Sequence, residues 1–116
     1  MTRGAAISLA IGLALGGCTL PESAQGSLYD QLGDEDVSLA ADTLQRSLER
    51  TRNGETTAWR NAATRAAGSI TPTRTYLAAG GDYCRDYVET ITVGGQSGQM
   101  QNTACRDEHG LWIWLG

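Results

Sequence analysis

The sequence predicts an α+β fold: one amphipathic helix packed on a small antiparallel sheet of about four to five strands, with a disulfide-linked hairpin. Three observations predict it. Apolar residues recur at helical spacing between Asp34 and Thr51. Beyond them, β-prone runs are separated by Gly80-Gly81 and Gly94-Gly95, and such Gly-Gly pairs mark tight turns. Cys84 and Cys105 are equidistant from the second of these turns.

Length and composition set the frame. The chain has 116 residues and 41% hydrophobic residues, with no phenylalanine. That is one small domain with a thin core, the kind of fold that benefits from a covalent staple. All nine basic residues are arginine, scattered through the chain, and the net charge is −4. An acidic chain without a basic cluster is not expected to bind nucleic acid. The three cysteines are an odd number, so one needs a role outside a disulfide pair.

The N-terminus supplies that role. Arg3 gives a short positive start, and residues 5–15 are apolar apart from Ser8 and Gly12. This stretch is shorter than the roughly 20 residues needed to span a bilayer and fits a signal-peptide core. It ends in Leu15-Gly16-Gly17-Cys18, which resembles the bacterial lipobox, although alanine or serine is commoner at Gly16. The resemblance implies cleavage of residues 1–17, acylation of Cys18 and a lipid anchor in the membrane. Thr19 follows in place of the aspartate of an inner-membrane retention signal, which implies the outer membrane. Removing 17 of 116 residues takes Arg3 away and leaves eight arginines against 13 acids, a net charge of −5.

Residues 18–33 comprise the lipidated cysteine and a Ser, Gly, Gln and Pro-containing segment without periodicity, read as a flexible tether. The folded domain is expected over residues 34–116. Its helix runs over 34–51, with Val37, Ala40, Ala41, Leu44 and Leu48 as the buried face. Asp34 is the expected cap. Asp34, Glu35 and Asp36 at the start and Arg46, Arg50 and Arg52 toward the end complement the helix dipole. Asn53-Gly54 is the expected stop.

Thr56-Thr57-Ala58-Trp59 reads as a short strand, residues 62–67 as a loop and residues 68–78 as a second strand. Pro72 cannot donate to a ladder, which places it at an edge or a strand start. Residues 83–93 and 96–106 form the hairpin around Gly94-Gly95. A two-residue turn there pairs Val93 with Gln96, and every paired position then sums to 189. Cys84 and Cys105 also sum to 189, at a non-hydrogen-bonded site where Cα atoms lie roughly 4.5 Å apart. The register thus predicts a disulfide between them, worth on the order of 3 kcal/mol in the chain-entropy account. The expected core face carries Tyr83, Tyr87, Ile91, Val93, Met100 and Ala104. Cys84, Asp86, Thr90, Thr92, Gln99, Gln101 and Thr103 take the other face, with Val88 as the apolar exception.

A turn at residues 107–110 leads to a last strand at 111–115. Trp112 and Trp114 share one face and Leu111, Ile113 and Leu115 the other, as in a central or helix-covered strand. Core packing is the first role for the tryptophans. Trp59, Tyr76, Trp112 and Trp114 are also the candidates for a ligand or partner surface.

Several of these residues, in this order, are familiar. Tyr83-Cys84-Arg85-x-Tyr87, Thr90, Gly94-Gly95 and Ala104-Cys105-Arg106-x-x-x-Gly110-x-Trp112 resemble the bacterial surface antigen lipoprotein domain, whose namesake is the rickettsial seventeen-kilodalton surface antigen. Trp59-Arg60-Asn61, Gly68-Ser69-Ile70-Thr71-Pro72 and the helix around Leu44 and Leu48 are similar to it as well. His109 departs from the aspartate usual before Gly110, and the glycine-zipper segment of many members is missing. The resemblance implies an envelope location and this architecture; it implies no defined activity.

The leading expectation is therefore a non-enzymatic outer-membrane lipoprotein with a structural or interaction role. The alternative is a periplasmic ligand-binding module, lysozyme-inhibitor-like or peptidoglycan-binding. Expected partners are the membrane, through the lipid, and envelope proteins or peptidoglycan. No catalytic residue, metal site or cofactor is predicted. No G-x-S-x-G, H-E-x-x-H or phosphate loop occurs, the cysteines form no C-x-x-C, and His109 is the single histidine.

Overall fold

A computed structural model of the chain describes residues 19–20 and 28–116. Cys18 and the expected signal peptide, residues 1–17, lie outside the described residues. A two-residue strand β1 (Thr19–Leu20) precedes a helical turn at residues 28–30. Helix α1 (Asp34–Arg50) follows, then strands β2 (Thr57–Asn61), β3 (Ala66–Leu77), β4 (Tyr83–Val93), β5 (Gln96–Arg106) and β6 (Trp112–Trp114). The sheet order is β1-β5-β4-β3-β2, with β6 also paired to β5. All pairings are antiparallel except β1 with β5. The α+β architecture is the one the sequence predicts.

The hairpin follows the expected register. Val93 faces Gln96, Cys84 faces Cys105, and no bulge intervenes. Gly94 and Gly95 both have positive φ, 59° and 79°, the conformation a primed two-residue turn requires. The Cys84–Cys105 disulfide closes across Cα atoms 4.0 Å apart.

The helix is turned relative to its expected face. Asp36, Ala40, Thr43, Ser47 and Leu48 are buried, whereas Val37 and Ala41 are exposed and Leu44 is half-buried. The reason is polar. Asp36 accepts hydrogen bonds from Asn61 Nδ2 and Thr64 Oγ1, each at 2.7 Å, and from the Gly33 amide at 3.0 Å. A buried carboxylate with three donors decides the rotation over an exposed Val37. Gly33, rather than Asp34, is the N-cap, and Asp36 reaches back to its amide. The helix ends at Arg50 with Thr51 as cap, before Asn53-Gly54.

Other boundaries are corrected too. Strand β3 starts at Ala66, inside the expected loop. Pro72 lies within β3, not at its start, but β2 stops pairing at Ile70. The Pro72 carbonyl accepts from the Gly54 amide at 2.7 Å on that opened side, so its missing N–H removes no ladder bond. A register shift follows between Pro72 and Arg74. The tether reading ends earlier than Gly33, because Leu28 and Leu32 are buried. Tyr83 is exposed although it shares the parity of the core face, since it lies at the end of β4.

Two apolar clusters fill the space between helix and sheet. One gathers Leu28, Leu32, Ala40, Trp59, Ala66 and Ile91; the other gathers Leu48, Ile70, Tyr87, Ala104 and Trp112. Each fully buried leucine or isoleucine contributes about 1.5–3 kcal/mol. The core-facing row of β4 reads Arg85, Tyr87, Glu89, Ile91, and all four are buried. Glu89 thus falls between the two clusters.

Candidate functional site

The two charged residues on the inner row of β4 are handled in opposite ways. Arg85 is fully engaged: Nη1 donates to the Leu48 carbonyl at 2.7 Å, Nε to Thr75 Oγ1 at 2.8 Å and Nη2 to Asn53 Oδ1 at 3.0 Å. It places positive charge at the C-terminal end of α1, where the helix dipole favours it. Arg85 is therefore a strut between helix and sheet.

Glu89 has no hydrogen-bond partner among the described residues, although it is only 4% exposed. It opens onto a cavity of about 410 Å³ between α1, β4, β5, β6 and the helical turn at residues 28–30. Leu44 of the helix, Tyr87 of β4 and Met100 and Asn102 of β5 form the walls with Glu89. Tyr29 and Trp114 complete the lining. Burial raises the Glu89 carboxyl from its ordinary value near 4.5 to about 7. Burial, and then the nearby Glu89 charge, raise the Tyr29 and Tyr87 phenols. A concave, mostly apolar space of this size with a few convergent polar groups is the usual form of a small-molecule site.

The residues singled out from the sequence are dispersed. Trp112 is core: its indole Nε1 donates to Glu49 Oε1 at 2.9 Å, and its backbone exchanges two bonds with the Gln45 side chain, at 2.9 and 2.8 Å. Trp59 is also core, 5% exposed, and its ring packs over Gly68. Neither lies on an available surface. Tyr76 lies at the far end of β3, with the Arg74 guanidinium 4.4 Å from its ring centroid. Only Trp114, 61% exposed, lies at the cavity. Its strand is an edge of the sheet, covered by the helix on the Trp112 side and open on the Ile113 side. His109 is exposed in the last turn, with Nε2 3.6 Å from a Glu108 oxygen. The sequence reading passed over Glu89. The available signal was a carboxylate between Tyr87 and Ile91, two residues of the expected core face.

A second hollow, of about 390 Å³, lies around Thr73, Asp86, Gln101 and Thr103. There Thr103 Oγ1 donates to Asp86 Oδ1 at 2.7 Å and Arg74 lies 3.8 Å from Asp86. Asp86 is thus already engaged by Thr103 and Arg74. Among the described residues no group of three or more His, Cys, Asp or Glu side chains is arranged to hold a metal ion. No described helix is long and apolar enough to cross a membrane.

Comparison with known proteins gives one consistent answer. A sequence model of the family described as "17 kDa outer membrane surface antigen" matches residues 46–113. The "17 kDa surface antigen" of Rickettsia felis is 40% identical over 81 residues, covering 70% of this chain and 51% of that protein. The proteins of the same name from Rickettsia bellii (strain RML369-C) and Rickettsia prowazekii are 38% identical over 81 residues and 37% identical over 79. These cover 70% and 68% of this chain, and 51% and 50% of the relatives. The chain thus spans about half the length of the curated relatives it matches. No solved structure matches it.

Proposed function

The chain belongs to the 17 kDa outer membrane surface antigen family, and from that membership we propose that it is a lipid-anchored lipoprotein of the outer membrane, with a structural or interaction role and no catalysis. The observation that carries this reading is the Cys84–Cys105 disulfide. Such a bond persists in an oxidising compartment such as the bacterial periplasm or cell surface. With those two cysteines paired, Cys18 is left for acylation at the end of Leu15-Gly16-Gly17-Cys18. Several acyl chains on one residue hold a protein firmly at a bilayer, at about 0.8 kcal/mol per buried CH₂. The domain then faces envelope proteins or peptidoglycan from a membrane surface.

The test is an intact mass of the protein isolated from membranes, before and after reduction. The expected species begins at a lipid-modified Cys18 and becomes two hydrogens heavier on reduction. An unacylated chain would overturn the anchor, and an unchanged mass on reduction would overturn the disulfide.

A second reading, a ligand-binding module that is lysozyme-inhibitor-like or peptidoglycan-binding, is favoured by the cavity at Glu89. Lysozyme inhibition and peptidoglycan pull-down test it, and negative results in both at high protein concentration would remove those two ligands.

A further inference from the structure

We propose that the cavity between α1 and the β4–β5 hairpin binds an organic cation, an amine carried on an apolar body, with Glu89 as its counter-ion and Tyr29, Tyr87 and Trp114 as its aromatic walls. The proposal rests on the binding-module reading and names the chemistry of its ligand.

Glu89 is buried with no hydrogen-bond partner among the described residues. The chain has no lysine, and among the described residues no arginine lines the cavity. The guanidinium on the same row of β4 is used elsewhere, Arg85 on Leu48, Thr75 and Asn53. A buried carboxyl without a counter-charge is costly when ionised.

The lining selects among possible occupants. An anionic amphiphile would meet a second negative charge in an apolar space and is disfavoured. A neutral apolar molecule would bury Glu89 further and offer it nothing. A cation supplies the missing charge, and aromatic faces attract ammonium groups by about 0.5–2 kcal/mol each. Leu44 and Met100 supply contact for an apolar body, and the cavity volume of about 410 Å³ accepts a ligand of that kind. The negative charge of the whole chain, −4, steers cations toward it.

The titratable groups facing Glu89 are the Tyr29 and Tyr87 phenols. The helix, β5 and β6 contribute Leu44, Met100, Asn102 and Trp114, none of which titrates. Because burial holds the Glu89 carboxyl at about 7, it must lose a proton to pair with the cation. Affinity should therefore rise with pH below 7 and level off above it.

The probes are n-hexylammonium and its isosteres hexan-1-ol and hexanoate, with Nα-acetyl-lysine methylamide as a peptide-borne amine. They are titrated into the disulfide-intact protein while the Trp114 indole resonance is followed by NMR. Hexylammonium is expected to bind at least about tenfold more tightly than either isostere at pH 7.5. Its affinity should fall by about tenfold per pH unit below pH 6. The Glu89→Gln variant, which keeps the side-chain shape, should lose both the preference and the pH dependence. Tighter binding of the lysine derivative would identify a protein or peptide amine as the source; tighter binding of hexylammonium, a free small amine. Equal binding of hexan-1-ol and hexylammonium would overturn the cation and leave a binding cavity. No Trp114 response to any probe would overturn both the cation and the cavity's role in binding.

Discussion

At the scale of single residues, burial decides the chemistry. Glu89 carries a stability cost that depends on pH. Its folded value is raised to about 7 from an ordinary value near 4.5. Between these values the folded protein holds a proton that the unfolded chain has released, so stability falls as pH rises through that window. It is full below about pH 4.5 and level again above about pH 7. Glu89→Gln removes the titrating group. The variant should match the wild type near pH 4 and exceed it at pH 8, by at most on the order of 3 kcal/mol. Urea denaturation at both pH values measures this, and equal stabilities at pH 8 would refute the buried-acid account. Asp36 behaves in the opposite sense. Hydrogen bonds from Thr64, the Gly33 amide and Asn61 hold its carboxyl below its ordinary value. Its contribution is present above that ordinary value and is lost as pH falls through the lowered one.

At the scale of elements, the hairpin and the helix are held together by a small number of specific ties. The disulfide sits near the open end of the hairpin, 21 residues apart in sequence, where the strand ends would otherwise fray. Replacing both cysteines, Cys84→Ser with Cys105→Ser, should cost about 2–4 kcal/mol. Thermal melting of the variant against the oxidised wild type checks it, and an unchanged Tm would sink the staple. The helix is tied to β4 by Arg85 and to β6 by Gln45 and Glu49, whose carboxylate also pairs with Arg106 at 2.9 Å. Gly68 permits a different tie. A Cβ there would collide with Trp59 Nε1 and lie 2.7 Å from Trp59 Cε2 and 2.8 Å from the Thr90 carbonyl oxygen, so only glycine lets β3 pass beneath that indole.

At the scale of the whole molecule, the domain begins before its helix does. Leu28 and Leu32 are 1% and 9% exposed and pack with Trp59 and Ile91. Leu28→Ala should therefore cost about 2–5 kcal/mol, far more than expected of a residue in a tether. The same turn sets Tyr29 at the cavity, so this variant should also weaken any ligand that fills it. Denaturant midpoints of Leu28→Ala and of an exposed control, Val37→Ala, separate the two views. Equal midpoints would return residues 28–32 to the tether.

The α+β class, the amphipathic helix, the Gly94-Gly95 turn and the Cys84–Cys105 pairing were all legible in the residues alone. Those features depend on local rules: helical spacing, positive φ in a tight turn, and a two-residue alternation that carries register along a hairpin without a bulge. Tertiary packing sets which face the helix buries, because two of the three donors to Asp36, Asn61 and Thr64, lie far along the chain. It also decided that Trp59 and Trp112 are core while Trp114 is exposed, and that Leu28 belongs to the domain. The cavity was beyond sequence reading for the same reason. Tyr29, Leu44, Glu89, Asn102 and Trp114 come from five separate segments. Their meeting, and the desolvation of Glu89 that follows, exist only once the helix has closed over the sheet.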